Sequence, residues 1–138
     1  MDEKKILATI SRIHRRGNKY IERELQKHNL PGIAPSHGDI LFQLFTREDL
    51  TMNQLSGYID RDKSTVTALV DKLARLGYVK RSQDQVDGRI YHLHLTEKGR
   101  ELEPVFLAIS ESLQAVIYEE FSPEERQLLL KLLDKIKL

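Results

Sequence analysis

Asp87 and Arg89 flank Gly88 at the end of a polar run, Gln83-Asp84-Gln85-Val86-Asp87-Gly88. A guanidinium stays charged throughout the physiological range, and a carboxylate two residues away can hold that long side chain in one rotamer. Upstream, Lys63, Ser64, Thr65, Thr67, Ala68, Asp71, Lys72 and Arg75 share the side of a helical segment opposite its apolar stripe. Short hydroxyls let a backbone approach base edges, and Lys and Arg neutralise phosphates. The plain alternatives are a solvated amphipathic face and a surface ion pair worth about 0–1 kcal/mol.

These residues need elements to position them. Lys63 to Leu76 has helical spacing, with Val66, Leu69, Val70, Leu73 and Leu76 on one side. Asp62 is suited to cap its first turn, and Gly77 to end it in a left-handed conformation. Tyr78 to Ser82 and Arg89 to Leu95 read as two short strands joined by the polar run. Upstream, Thr51-Met52-Asn53-Gln54 forms a capping box and opens a short helix with Leu55, Tyr58 and Ile59. Asp60-Arg61 then links two helices in helix-turn-helix order. A helix followed by a hairpin can place the helix in a major groove and the hairpin at the neighbouring minor groove. The first-turn N–H groups near Asn53 can meet a phosphate.

From residue 62 to 99 the chain resembles the MarR family of winged helix-turn-helix transcription regulators. The resemblance rests on Asp87-Gly88-Arg89 followed, at the family spacing, by Leu95-Thr96-Glu97-Lys98-Gly99. Ser64-Thr65-Val66-Thr67, Leu69-Val70-Asp71-Lys72-Leu73 and Leu76-Gly77-Tyr78-Val79-Lys80-Arg81 are similar to the family's recognition helix and first wing strand. Length and element order agree along the whole chain. The resemblance implies that Arg89 enters the minor groove and that Asp87 orients it. It implies major-groove roles near Ser64, Thr65, Thr67, Ala68 and Lys72. Asn53, Lys63, Arg75 and Arg81 are the candidates for phosphate contact. It also implies a repressor released by a small anionic or aromatic effector, for which Arg15, Arg16, Tyr20 and His37 are candidate liners.

The flanking segments are helical. Lys4 to His28 places Ile6, Ile10, Ile13, Tyr20, Ile21 and Leu25 at helical intervals, with Gly17 as a site for a kink or a close crossing. Residues 29–35 are a breaker-rich linker, and a second helix starts at Pro35 or Ser36. Thr96 is expected to cap a helix running to about Glu120, kinked at Pro104 unless the helix proper begins there. Ser122-Pro123-Glu124-Glu125 opens a last, leucine-rich helix. The first and last helices carry more apolar surface than one core of this size uses, which predicts an obligate homodimer.

Composition sets limits. The 138 residues are 40% hydrophobic, enough for a core, with no apolar run long enough to span a membrane and no secretory-signal pattern. There is no cysteine, hence no disulfide, thiolate metal site or thiol redox sensor. A cytoplasmic location is expected. The net charge is only +1, but residues 101–138 hold 4 Lys/Arg against 8 Asp/Glu, so the rest is basic. DNA binding needs a basic surface, not a basic total. No phosphate loop, zinc-protease motif or nucleophile elbow is present, and neither an enzyme nor a cofactor is expected. His92 and His94 share a strand face, read as solvated rather than metal-binding. Glu24, His28 and His37 are the only other candidates for a metal.

The expected fold is mainly α with a small β-hairpin wing. It divides into an N-terminal dimerisation helix and linker (1–34), a DNA-binding lobe (35–96) and C-terminal dimerisation helices (97–138). The expected function is regulation of transcription by a homodimer on a pseudo-palindromic double-stranded DNA operator. A zinc-responsive regulator and a winged-helix protein-interaction module without DNA binding remain as alternatives.

Overall fold

The computed structural model describes residues 1–138. A 3-10 turn, Glu3–Lys5, leads into α1 (Ile6–Lys27), followed by α2 (Pro35–Thr46), β1 (Leu50–Thr51), α3 (Met52–Ile59) and α4 (Lys63–Arg75). Then come β2 (Val79–Gln83), β3 (Tyr91–Leu95), the short α5 (Glu97–Arg100), α6 (Leu102–Ile117) and α7 (Pro123–Asp134). This is a winged helix-turn-helix with helical arms at both ends. No helix is long and apolar enough to cross a membrane.

Helix ends follow local chemistry. Asn29 adopts φ 55° after α1, the Leu30 amide donates to the Leu25 carbonyl at 3.2 Å and the Asn29 amide to Gln26 at 3.0 Å. The same pattern closes α4. Gly77 has φ 85°, the Tyr78 amide donates to Leu73 at 2.9 Å and the Gly77 amide to Ala74 at 3.0 Å. A left-handed residue at this place satisfies the last carbonyls and turns the chain sharply. The second instance aims β2 back along the recognition helix.

The core is continuous. Leu25 of α1, Ile40, Leu41 and Leu44 of α2, Leu55, Val66, Val70, Leu73, Leu93 and Phe106 pack in one buried cluster. The first and sixth helices therefore share the core of the winged helix. The sheet is β1-β3-β2, with Leu50 opposite Leu93 and Arg81 also opposite Leu93. The strand β1 has no signal in the sequence, because two residues are too few for a period to register.

Two local expectations change, and the apolar surplus of the end helices stays exposed. The helix after Thr96 is two helices, separated at Glu101, and Pro104 sits in the first turn of α6, where its missing N–H is not needed. Helix α1 passes through Gly17 unbroken, and nothing lies within 4 Å of the place a Cβ would take. Helix α7 buries none of its residues; Leu128, Leu130, Leu132 and Leu133 are exposed, as are Ile6, Leu7, Ile10 and Ile13 of α1.

The tightest backbone approach is at Gly99. A Cβ there would lie 2.1 Å from the Tyr78 carbonyl oxygen. No side-chain rotation relieves that contact, so α5 must move. Gly99→Ala is expected to destabilise the protein by about 3 kcal/mol or more, read from urea unfolding. A loss under about 1 kcal/mol would show that α5 does not depend on this contact.

Candidate nucleic-acid interface

The helix-turn-helix is fixed by paired caps. Thr51 Oγ1 accepts from the Gln54 amide at 3.1 Å, and Gln54 Oε1 accepts from the Thr51 amide at 3.0 Å. Asp60 takes φ 51° between the helices. Asp62 Oδ1 then accepts from the Thr65 amide at 2.7 Å and from Ser64 Oγ at 2.9 Å. The Thr65 amide is the main reason the Asp62 carboxyl is held below its usual range. With its proton committed to Asp62, Ser64 keeps its oxygen as an acceptor.

Helix α4 buries Val66, Val70 and Leu73 and exposes Lys63, Ser64, Thr67, Ala68 and Arg75, with Thr65 half-buried. Lys72 is half-buried at the edge of that exposed side. It follows Leu69 and precedes Leu76 on one line of the helix, and that line faces the α1–α2 linker. Gly32 has φ 84°, and a Cβ there would lie 3.4 Å from Lys72 Cε. The Lys72 charge also acts on buried His37. Arg81 is not a free phosphate ligand: its guanidinium is paired with Asp71, bracing β2 against α4. Asn53 is exposed in the first turn of α3.

The wing tip is built around two carboxylates. Asp84 Oδ2 accepts from the Val86 amide at 3.0 Å and the Asp87 amide at 2.9 Å. The Asp84 amide donates to the Ile90 carbonyl at 2.8 Å, and Gln83 Nε2 donates to the Gly88 carbonyl at 2.7 Å. Asp87 then grips Arg89 twice, Oδ1 accepting from Nε at 3.1 Å and Oδ2 from a terminal nitrogen at 3.2 Å. Its Oδ1 also accepts from the Arg89 amide at 3.0 Å. These bonds, the side-chain ones foremost, hold the Asp87 carboxyl below its usual range. The Arg89 side chain is still 92% exposed, so it is oriented without being covered.

His92 and His94 do not form a solvated face. His92 sits between Asp49 and Asp84 at 2.9 and 2.8 Å, and His94 between Ser82 and the Glu48 carbonyl, each at 3.2 Å. The carboxylate partners come from a loop far upstream and from the wing itself. Neither periodicity nor spacing pairs them with β3.

Three of the candidate effector liners lie on α1, and His37 lies in the first turn of α2. Arg15 and Arg16 are exposed, Tyr20 is half-buried, and His37 is 4% exposed. His37 Nδ1 accepts from the Ala34 amide at 2.9 Å and so closes the start of α2, a capping role. A concavity beside α2 is lined by Asp39, Phe42, Gln43, Tyr58 and Ile59. Glu24 is paired with Lys27 at 3.0 Å, and no three His, Asp or Glu side chains converge as metal ligands.

This arrangement of capped helices and braced wing can be set beside known proteins. The MarR family pattern matches residues 33–91. YkoM, an uncharacterized HTH-type transcriptional regulator of Bacillus subtilis, is 32% identical over 113 residues, which cover 82% of this chain and 71% of that protein. The chain belongs to the MarR family. It is a transcriptional regulator of that family, and no enzyme family is indicated. A MarR transcriptional regulator from Methanosarcina mazei superposes with a TM-score of 0.83 at 29% identity, covering 97% of this chain and 88% of the other. FabT of Streptococcus pneumoniae, solved in complex with DNA, superposes with a TM-score of 0.79 at 26% identity, over 96% of this chain and 93% of FabT.

Burial first, and then the Lys72 charge, push the His37 pKa below its ordinary 6.5. A depressed histidine favours the folded state fully above the unfolded value, and that contribution fades as pH falls below it. NMR of the His37 ring should give a midpoint below 6.5, and Lys72→Met should raise it. An unmoved midpoint would take Lys72 away from His37. Protein stability should also fall between pH 6.5 and the lower folded midpoint, by less in Lys72→Met.

Proposed function

We propose that this MarR-family protein is a homodimer that binds a pseudo-palindromic operator in double-stranded DNA and represses transcription until a small ligand releases it. The observation that carries the DNA reading is Arg89, gripped at two points by Asp87 and yet almost wholly exposed at the wing tip. A surface ion pair alone contributes about 0–1 kcal/mol to stability. What this one gives is orientation: a guanidinium held outward before it meets a narrow minor groove.

Major-groove reading belongs to Ser64, Thr65, Thr67 and Ala68, whose small side chains lie on the open side or first turn of α4. Lys63, Arg75 and Asn53 meet phosphates. Lys72 and Arg81 support that surface from behind rather than read it. Residues 35–96 do the reading, and residues 1–34 with 97–138 make the dimer. The support for the dimer is α7, which buries none of its residues and leaves Leu128, Leu130, Leu132 and Leu133 exposed. A two-fold dimer places its recognition helices about 34–36 Å apart, one helical turn of DNA. FabT, solved in complex with DNA, supports DNA as the partner.

Repression and ligand release follow the family resemblance. An anionic or aromatic effector that favours a different spacing of the two lobes weakens DNA binding by shifting populations. The location is cytoplasmic, where the DNA is.

Arg89→Ala is expected to weaken operator binding by about 1–3 kcal/mol while sedimentation still finds a dimer. Equal affinity with and without the guanidinium would remove the wing from the interface. Charge placed on α7, as in Leu132→Glu with Leu133→Glu, should yield monomers that bind DNA weakly. A dimer that survives both substitutions would mean that α7 is not its interface.

A further inference from the structure

His92 has a hydrogen-bond geometry that only one protonation state completes. It lies on β3, opposite Thr51 of β1 and Ser82 of β2. Its Nδ1 is 2.9 Å from Asp49 Oδ1, just before β1, and its Nε2 is 2.8 Å from Asp84 Oδ1, at the base of the wing tip. An ionised carboxylate only accepts hydrogen bonds. A neutral imidazole has one N–H and satisfies one carboxylate, leaving a lone pair facing the other. The imidazolium has two and satisfies both.

His94, on the same strand face, makes a useful contrast. Its Nδ1 can donate to the Glu48 carbonyl, and its Nε2 can accept from the Ser82 hydroxyl. A neutral ring completes that pair. The charged groups that act on His92 are Asp84 and Asp49; Thr51 and Ser82, across the sheet on either side, carry no charge.

Asp84 is the link outward. One oxygen meets His92, and the other accepts the Val86 and Asp87 amides. Those amides set the turn that carries Asp87, which grips Arg89. We propose that protonated His92 is a positioning residue for the wing arginine: the imidazolium bridges Asp49 to Asp84, Asp84 fixes the turn bearing Asp87 and Arg89, and DNA binding through the wing weakens when the imidazolium loses its proton. The effect on DNA rests on the minor-groove reading of Arg89; the bridge itself does not.

The bond to Asp84, and then the bond to Asp49, raise the His92 pKa above its ordinary 6.5. The sign follows. A raised folded value means that the bridge contributes fully below pH 6.5 and is lost as pH climbs through the folded midpoint. The wing is therefore best held on the acid side of that midpoint and loosens on the alkaline side.

The first test uses wild-type protein without DNA. NMR follows the His92 ring with pH, together with hydrogen exchange at the Val86 and Asp87 amides. The expected result is a midpoint above 6.5, loss of protection at both amides through that midpoint, and a lower midpoint in Asp84→Asn. A midpoint at or below 6.5, or amides indifferent to it, overturns the inference. The second test measures affinity for a duplex selected from random DNA. Wild-type affinity should fall through the His92 midpoint, by up to about tenfold per pH unit for each wing engaged. Arg89→Ala and His92→Gln should each flatten that profile. Flat wild-type affinity with no effect of Arg89→Ala overturns the minor-groove reading and, with it, the DNA half of the proposal. Flat wild-type affinity with a clear Arg89→Ala loss overturns the positioning role alone.

Discussion

The end of the recognition helix, the start of the wing and the start of the C-terminal arm meet at Gly77, Tyr78, Thr96 and Gly99. The Tyr78 carbonyl accepts from the Thr96 amide at 3.1 Å, and Thr96 Oγ1 donates to the Gly77 carbonyl at 2.6 Å while accepting from the Gly99 amide at 3.0 Å. One hydroxyl thus caps α5 and ties it to the corner where α4 becomes β2. Lys98 adds a second tie, donating to the Leu76 carbonyl at 2.7 Å with its ammonium 4.7 Å from the Tyr78 ring centre. Gly99 is required because a backbone oxygen occupies the space of its Cβ. These bonds join the end of α4, the start of the wing and the start of the C-terminal arm at one corner.

Charge is used locally in this molecule. The net charge is only +1, and the carboxylates near the proposed DNA face each hold something in place. Asp62 caps α4, Asp71 braces Arg81, Asp84 builds the wing tip and Asp87 orients Arg89. Acidic groups on a face meant for phosphates would repel DNA if left unpaired. Engaged with cations and amides, they organise the groups that do the binding.

Most of the fold was legible in the sequence, for physical reasons. Caps are short-range, so Thr51, Asp62, Thr96 and Ser122 marked helix starts and Gly77 marked an end. The apolar period of α4 placed Val66, Val70 and Leu73 inside. What escaped depends on chain segments far apart. The two-residue β1, the Asp49–His92–Asp84 bridge and the Arg81–Asp71 pair have no local signature. The nearness of Lys72 to Gly32 also escaped, because a position at the edge of a helical stripe points either way until its neighbour is known. His37, a candidate ligand from its residue type, is buried as a helix cap. The surplus leucines of α7 could be read as needing a partner, since an exposed apolar face shows in the sequence as clearly as a buried one.

Selection of binding sites by the purified protein from random duplex DNA, at two salt concentrations, tests whether the winged helix reads DNA sequence. A homodimer should select one two-fold symmetric motif with half-sites about one helical turn apart. Its recovery should drop steeply at the higher salt, because each neutralised phosphate releases counterions. No enriched motif, or weak binding indifferent to salt, would contradict that reading and leave the winged helix without DNA as its partner.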